Sequence, residues 1–136
     1  MTTHLLDTSV YSQPLKRKPV QAAIARWDRL GDDRCATSRV CVAEVEAGLR
    51  AESRPARFAK YSQLLQPRVR ILPVDEAVWR KFTELKASQH QQGFSIADLD
   101  LLIAATAFRN DLVVATLNAR PFSKIASLHW EDWSVL

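Results

Sequence analysis

Apolar side chains recur along the chain in two rhythms, short runs and longer stripes at helical spacing, and together they predict strands interleaved with helices. His4-Leu5-Leu6 reads as a short buried strand ended by the polar Asp7-Thr8-Ser9. Val20, Ile24 and Trp27 mark a helix from about 19 to 30, which Pro19 opens and Gly31 stops. Arg34 to Thr37 is the next strand, and Ser38 is a natural N-cap for a helix reaching about Ser53. Pro55 opens another helix, Gln66-Pro67 ends it, and Val69 to Leu72 is the third strand. Asp75-Glu76 then starts a long helix to about Gln92, with acids in the first turn where the helix dipole favours them, and Gly93 stops it. Ser95 starts a helix through Phe108, Leu112 to Thr116 is a β-branched apolar strand, and a last strand is expected near Leu128 to Trp130. Strands alternating with helices imply an α/β fold, with a mainly parallel sheet of four or five strands covered on both faces.

Carboxylates interrupt the apolar stripes at two places. Asp100 has Ile96 and Ala97 before it, and Ile103 and Ala104 after it, at helical spacing. Glu44 is similarly flanked by Val40, Cys41, Ala47 and Gly48, whereas Glu46 stands four residues before Arg50 and is expected to form a surface ion pair. An unpaired buried carboxylate is costly, so Asp100 and Glu44 each need a partner: an internal arginine, a hydrogen-bond network or a bound cation. In parallel α/β sheets, sites form outside the carboxyl ends of the strands. Asp7 ends the first strand, Glu44 lies early in the helix after the second, Asp100 lies early in the helix before the fourth, and Asn118 lies just past that strand, so they can converge. Ser95-x-x-Asp98 admits two readings, a capping box with Asp in place of Glu or Gln, or a further acid of the site.

Composition narrows the chemistry. The 136 residues suit one domain spanning 1–136, and 47% hydrophobic with 25% charged residues argues against disorder. The longest apolar run, Leu101 to Ala105, is too short to cross a bilayer, and the amino terminus lacks a secretory signal, so a cytoplasmic protein is expected. Cys35 and Cys41 are too few for a thiolate zinc site and are expected to be buried structural residues; His4, His90 and His129 show no ligand spacing. Unit charges about 4 Å apart repel by roughly 4 kcal/mol at an effective dielectric near 20, so converging carboxylates call for a hard cation, Mg²⁺ or Mn²⁺. Such an ion suits water attack on a phosphate, and a net charge of +4 with pI ≈ 9.4 suits a nucleic-acid substrate. Lys16-Arg17-Lys18 reads as a solvated basic loop.

The order of motifs then becomes specific: Leu6-Asp7-Thr8-Ser9, Ala43-Glu44-Val45-Glu46-Ala47-Gly48-Leu49, Ile96-x-x-x-Asp100-x-x-Ile103-Ala104-Ala105, Ala115-Thr116-Leu117-Asn118 and Trp130-Glu131-Asp132-Trp133. Over essentially its whole length the chain resembles the PIN-domain toxins of VapBC-type toxin–antitoxin modules. The resemblance implies a three-layer α/β/α PIN-like domain and Mg²⁺- or Mn²⁺-dependent endoribonuclease activity. It further implies homodimerisation, neutralisation by a small cognate antitoxin, higher toxin–antitoxin assembly, and contact with operator DNA only through that antitoxin. Carried onto this sequence, Asp7 and Asp100 are the metal ligands, and Glu44 completes the catalytic acids. Thr8, Ser9, Asp98, Thr116 and Asn118 are supporting positions. Asn118 departs from the fullest family pattern, in which a fourth acid stands there, so a second metal position is not implied. A PIN-like module that binds RNA or protein without cutting, and a nuclease directed at DNA, are the competing readings. A phosphoacceptor phosphatase is disfavoured, because Asp7-Thr8-Ser9 lacks a second Asp two residues on.

Overall fold

The computed structural model describes residues 1–136. Five strands form one parallel sheet in the order β3-β2-β1-β4-β5, where β1 is His4–Leu6, β2 Cys35–Ser38, β3 Arg70–Leu72, β4 Val113–Thr116 and β5 Trp130–Asp132. Seven α-helices connect or flank them: α1 Thr8–Tyr11, α2 Gln21–Leu30, α3 Arg39–Ala51, α4 Pro55–Lys60, α5 Glu76–Gln92, α6 Asp98–Asn110 and α7 Ala119–Ser123. Every residue of β2 is buried, as are the last two of β1 and the last three of β4, so helices cover both faces of the sheet centre. The buried apolar side chains form one continuous cluster reaching from Leu5 to Trp133. No helix is long and apolar enough to cross a membrane.

Local chemistry explains most boundaries. The Ser38 hydroxyl accepts the Val40 N–H at 3.0 Å, and an Asp75 carboxylate oxygen accepts the Val78 N–H at 2.9 Å, so both cap their helices as expected. Gly93 ends α5 in the left-handed region at φ 76°, where a side chain would be strained. Both cysteines are free and buried, and burial pushes each thiol up to about 12.

Several expectations are corrected. Residues 95–97 precede α6 instead of opening it: the Gln89 side chain takes the Ile96 N–H at 2.8 Å, and the helix starts at Asp98 with no side-chain cap. The Ser95–Asp98 capping box therefore does not form. Pro19 lies just outside α2, the last strand is shifted to Trp130–Asp132, and the supposed turn after β1 contains the four-residue α1. Glu46 pairs with Arg39 at 3.9 Å and not with Arg50, whose guanidinium lies 4.7 Å over the Phe58 ring.

Two polar clusters pin the periphery. Arg68 grips Asp32 through two hydrogen bonds of 3.1 and 2.9 Å while stacking 4.3 Å over Trp27, whose indole N–H donates to the same carboxylate at 2.7 Å. The Arg68 guanidinium accordingly holds the Asp32 carboxyl below its usual range. At the other edge, Glu131 lies 2.9 Å from His4 Nε2 and accepts the Trp133 indole N–H at 3.0 Å, while the Trp133 backbone N–H donates to the Thr116 carbonyl at 2.8 Å.

Candidate functional site

The carboxyl ends of β1 and β4 meet at Asp7. As N-cap of α1 this residue turns its carboxylate back to accept the Val10 N–H at 3.1 Å, a local requirement of any helix start. The same oxygen accepts the Ser9 hydroxyl at 2.6 Å, and the other accepts the Thr116 hydroxyl at 2.6 Å. Those hydroxyls are themselves anchored, because Thr116 Oγ1 accepts the Asn118 N–H at 2.8 Å and Ser9 Oγ accepts the Leu117 N–H at 2.9 Å. A two-tier network thus ties the loop after β4 to the first turn after β1. Asp7 is only 5% exposed, and burial raises its pKa against the opposing pull of the hydrogen bonds from Ser9, Thr116 and Val10.

Two further carboxylates face this centre. Asp100, half-buried in the first turn of α6, has its pKa raised by burial first, then by the negative charges of Glu44 and Asp7. Glu44, in the middle of α3, accepts the Thr8 hydroxyl at 2.6 Å. Its expected packed face is kept toward Val40 and Cys41, which are buried, and corrected toward Ala47 and Gly48, which are exposed, so Glu44 itself is half-buried. Glu44 stands at the edge of a cleft. No lysine, arginine or histidine lies within 4.0 Å of Asp7, Glu44 or Asp100, so the internal-arginine alternative has no support.

The supporting positions divide. Thr8, Ser9 and Thr116 all donate hydroxyls to the acids. Asn118 joins through its backbone N–H, and the residue is exposed. Asp98 is outside the network: its side chain is 60% exposed and pairs with Lys86 at 2.6 Å. Sequence reasoning missed that Asp7 is a helix cap, although an Asp three residues before Val10 was the available signal.

No three carboxylate, histidine or cysteine side chains stand close enough together to form a ready-made cage. Oxygen donors alone, with charge on Asp7 disfavoured by burial and charge on Asp100 by burial and then by Glu44 and Asp7, nevertheless fit a hard divalent ion, which commonly takes one or two carboxylates and keeps its waters.

Comparison with known proteins gives a consistent picture. A family model described as PIN domain matches residues 4–128. The chain is 33% identical over 124 residues to toxin FitB of Neisseria gonorrhoeae, covering 87% of this chain and 89% of that one. It is 28% identical over 131 residues to ribonuclease VapC1 of Haemophilus influenzae, covering 96% and 98%. Among solved structures, FitAB bound to an IR36 DNA fragment superposes with a TM-score of 0.89 at 29% identity, covering 98% of this chain and 97% of that one.

Proposed function

The chain belongs to the PIN-domain family, and from there we propose that it is the toxin of a type II toxin–antitoxin module, an endoribonuclease dependent on Mg²⁺ or Mn²⁺. One observation carries the proposal: Asp7 and Asp100 lie at the carboxyl end of a parallel sheet without cationic partners and despite the cost of burial, with Glu44 near enough for its charge to act on Asp100. Asp7 and Asp100 would hold the ion, and when bound it would supply charge to offset the phosphate's developing negative charge and make water more acidic. Ser9 and Thr116 fix the Asp7 carboxylate in one orientation. Glu44, steadied by Thr8, is the base that orients the attacking water and takes its proton. The relatives named as a toxin and a ribonuclease support this reading.

A small cognate antitoxin is part of the same proposal, and contact with operator DNA would run through it, as the likeness to DNA-bound FitAB suggests. Homodimerisation would use the exposed Trp79 and Leu99, which border an apolar groove beside Glu44. The test is cleavage of RNA by purified protein with Mg²⁺ or Mn²⁺, repeated with EDTA and with Asp7→Asn and Asp100→Asn. Cleavage should vanish in all three. Full activity in either folded variant would overturn the metal-site assignment. A folded wild-type protein that binds RNA but never cuts it would favour the non-cleaving module, and cleavage confined to DNA would identify a DNA-directed nuclease.

A further inference from the structure

Glu44, at the edge of the acidic centre, borders two grooves of different character. On the α5–α6 side, Glu44 borders a mainly apolar groove lined by Val40, Val74, Trp79, Leu99 and Leu102, with Arg39 as its one cation, paired with Glu46. On the other side a groove of about 180 Å³ runs from Thr8 and Glu44 over Gly48 to Lys16 and Arg57. A larger cavity flanked by Arg50 and Arg54 shares Leu49 with this groove. The groove itself is lined by Lys16 and Arg57 with Glu44 and Glu52, and the adjoining cavity adds Arg50 and Arg54 with no further carboxylate. Arg57 is already engaged, bonded to Glu52 and donating to the Leu15 carbonyl at 2.7 Å, which fixes the backbone beside Lys16. Lys16 is exposed and has no ion-pair partner within 4.0 Å.

Gly48 gives an independent indication. It sits inside α3, where glycine costs about 0.5–1 kcal/mol relative to alanine. No packing explains it, because a Cβ placed there would meet nothing within 4 Å. A side chain at this position would stand in the groove, next to Glu44. Glycine keeps the floor low where the passage leaves the acids, and that suits a chain of phosphates and sugars passing close to the helix backbone.

We propose that the substrate strand leaves the acidic centre along this groove, passing over Gly48, with Lys16 binding a phosphate adjacent to the scissile one and Arg57 acting as a positioning residue for the Lys16 loop. This rests on the nucleic-acid reading of the acidic site. A polyanion is favoured on this side because its cations lack enough local carboxylates to neutralise them, whereas the opposite groove offers mainly apolar surface.

The test measures steady-state cleavage and salt-dependent binding of a single-stranded RNA by wild type, Lys16→Ala, Lys16→Arg, Gly48→Ala and Gly48→Leu. Arg29→Ala, which removes an exposed cation of α2 without an ion-pair partner, controls for net charge. Lys16→Ala should raise KM about fivefold with kcat within about twofold, and lower the slope of log affinity against log salt by about 0.7, the value for one phosphate on a single strand. Lys16→Arg should restore both, Arg29→Ala should change neither, and Gly48→Leu should raise KM about tenfold without lowering Tm. Wild-type KM and salt slope in both Lys16→Ala and Gly48→Leu would overturn the path while leaving the nuclease assignment standing. So would a Gly48→Leu protein that loses its antitoxin but handles RNA normally, since the groove would then be a protein-docking site. A wild-type protein that neither binds nor cuts RNA would overturn both readings. If Gly48→Leu fails to fold, Gly48→Ala with Lys16→Ala decides the matter on the same readouts.

Discussion

Replacing Thr116 by valine removes one hydroxyl at constant shape, and the structure says what that hydroxyl does. It is fully buried, donates to Asp7 at 2.6 Å and accepts the Asn118 N–H at 2.8 Å. Loss of a hydrogen bond to a buried charged group costs about 1.5–3 kcal/mol, and loss of the acceptor for the Asn118 amide adds up to about 1 kcal/mol. We therefore expect Thr116→Val to cost about 2–4 kcal/mol in metal-free protein, or a Tm lower by about 6–12 °C for a chain of this size. Thr37 provides an internal comparison: it too is fully buried, but its hydroxyl donates to a neutral carbonyl, that of Leu6, at 2.9 Å, so Thr37→Val should cost only about 1 kcal/mol. The assay is urea unfolding in EDTA, with Thr116→Ser expected to recover most of the loss. In an Asp7→Asn background the penalty of Thr116→Val should shrink, because the charge that the hydroxyl supports is gone. If Thr116→Val costs no more than Thr37→Val, or costs the same with and without the Asp7 charge, the supporting role assigned to Thr116 is wrong.

Three other outcomes are expected. Asp98→Ala should keep wild-type cleavage and lose no more than about 1 kcal/mol of stability, since its exposed pair with Lys86 is largely screened; a large loss of kcat would return Asp98 to the site. Because Asp32 has a depressed pKa in the folded protein, its pair with Arg68 contributes stability above the carboxyl's unfolded pKa near 4 and loses it as pH falls through the lower folded value. Unfolding measured between about pH 5 and 2 should show a shallower acid decline for Asp32→Asn than for wild type; identical declines would remove the pair from the acid response. Cys35 and Cys41 should resist a thiol reagent in native protein at pH 8 and react on unfolding, as burial and raised pKa values require. Fast native labelling of either would contradict that packing.

Much of this architecture could be read from periodicity, because the strands are short buried runs and α3 and α5 carry their own caps. Ser38 and Asp75 announced helix starts that the structure keeps, and Gly93 announced a stop. Errors arose where a distant side chain competed for a local group. Gln89 captures the Ile96 N–H, which holds residues 95–97 out of α6, and Phe58 attracts the arginine that spacing had paired with Glu46. α1 escaped notice because four residues are too few to display a helical period. The acids of the site were visible as polar breaks in apolar stripes, but Ala47 and Gly48 beside Glu44 looked like packing residues when they line open space. Small side chains serve both purposes, and spacing alone does not separate them. The basic loop at Lys16 was equally visible, but its place beside the acids depends on Arg57 reaching the Leu15 carbonyl across 42 positions of sequence.

The central position of β1 has a bearing on when the protein can act during its own synthesis. β1 has β2 and β4 as its neighbours, and Asp7 waits for Thr116, which is in turn held through its carbonyl by Trp133. Contacts of such long sequence separation form late, and a chain growing from its amino terminus lacks this one until β4 has emerged. A nascent or truncated chain would carry Asp7 without the hydroxyl from β4 that orients it. Orientation of the Asp7 carboxylate thus depends on β4, and a chain cut before Val113 would hold that carboxylate without its Thr116 support.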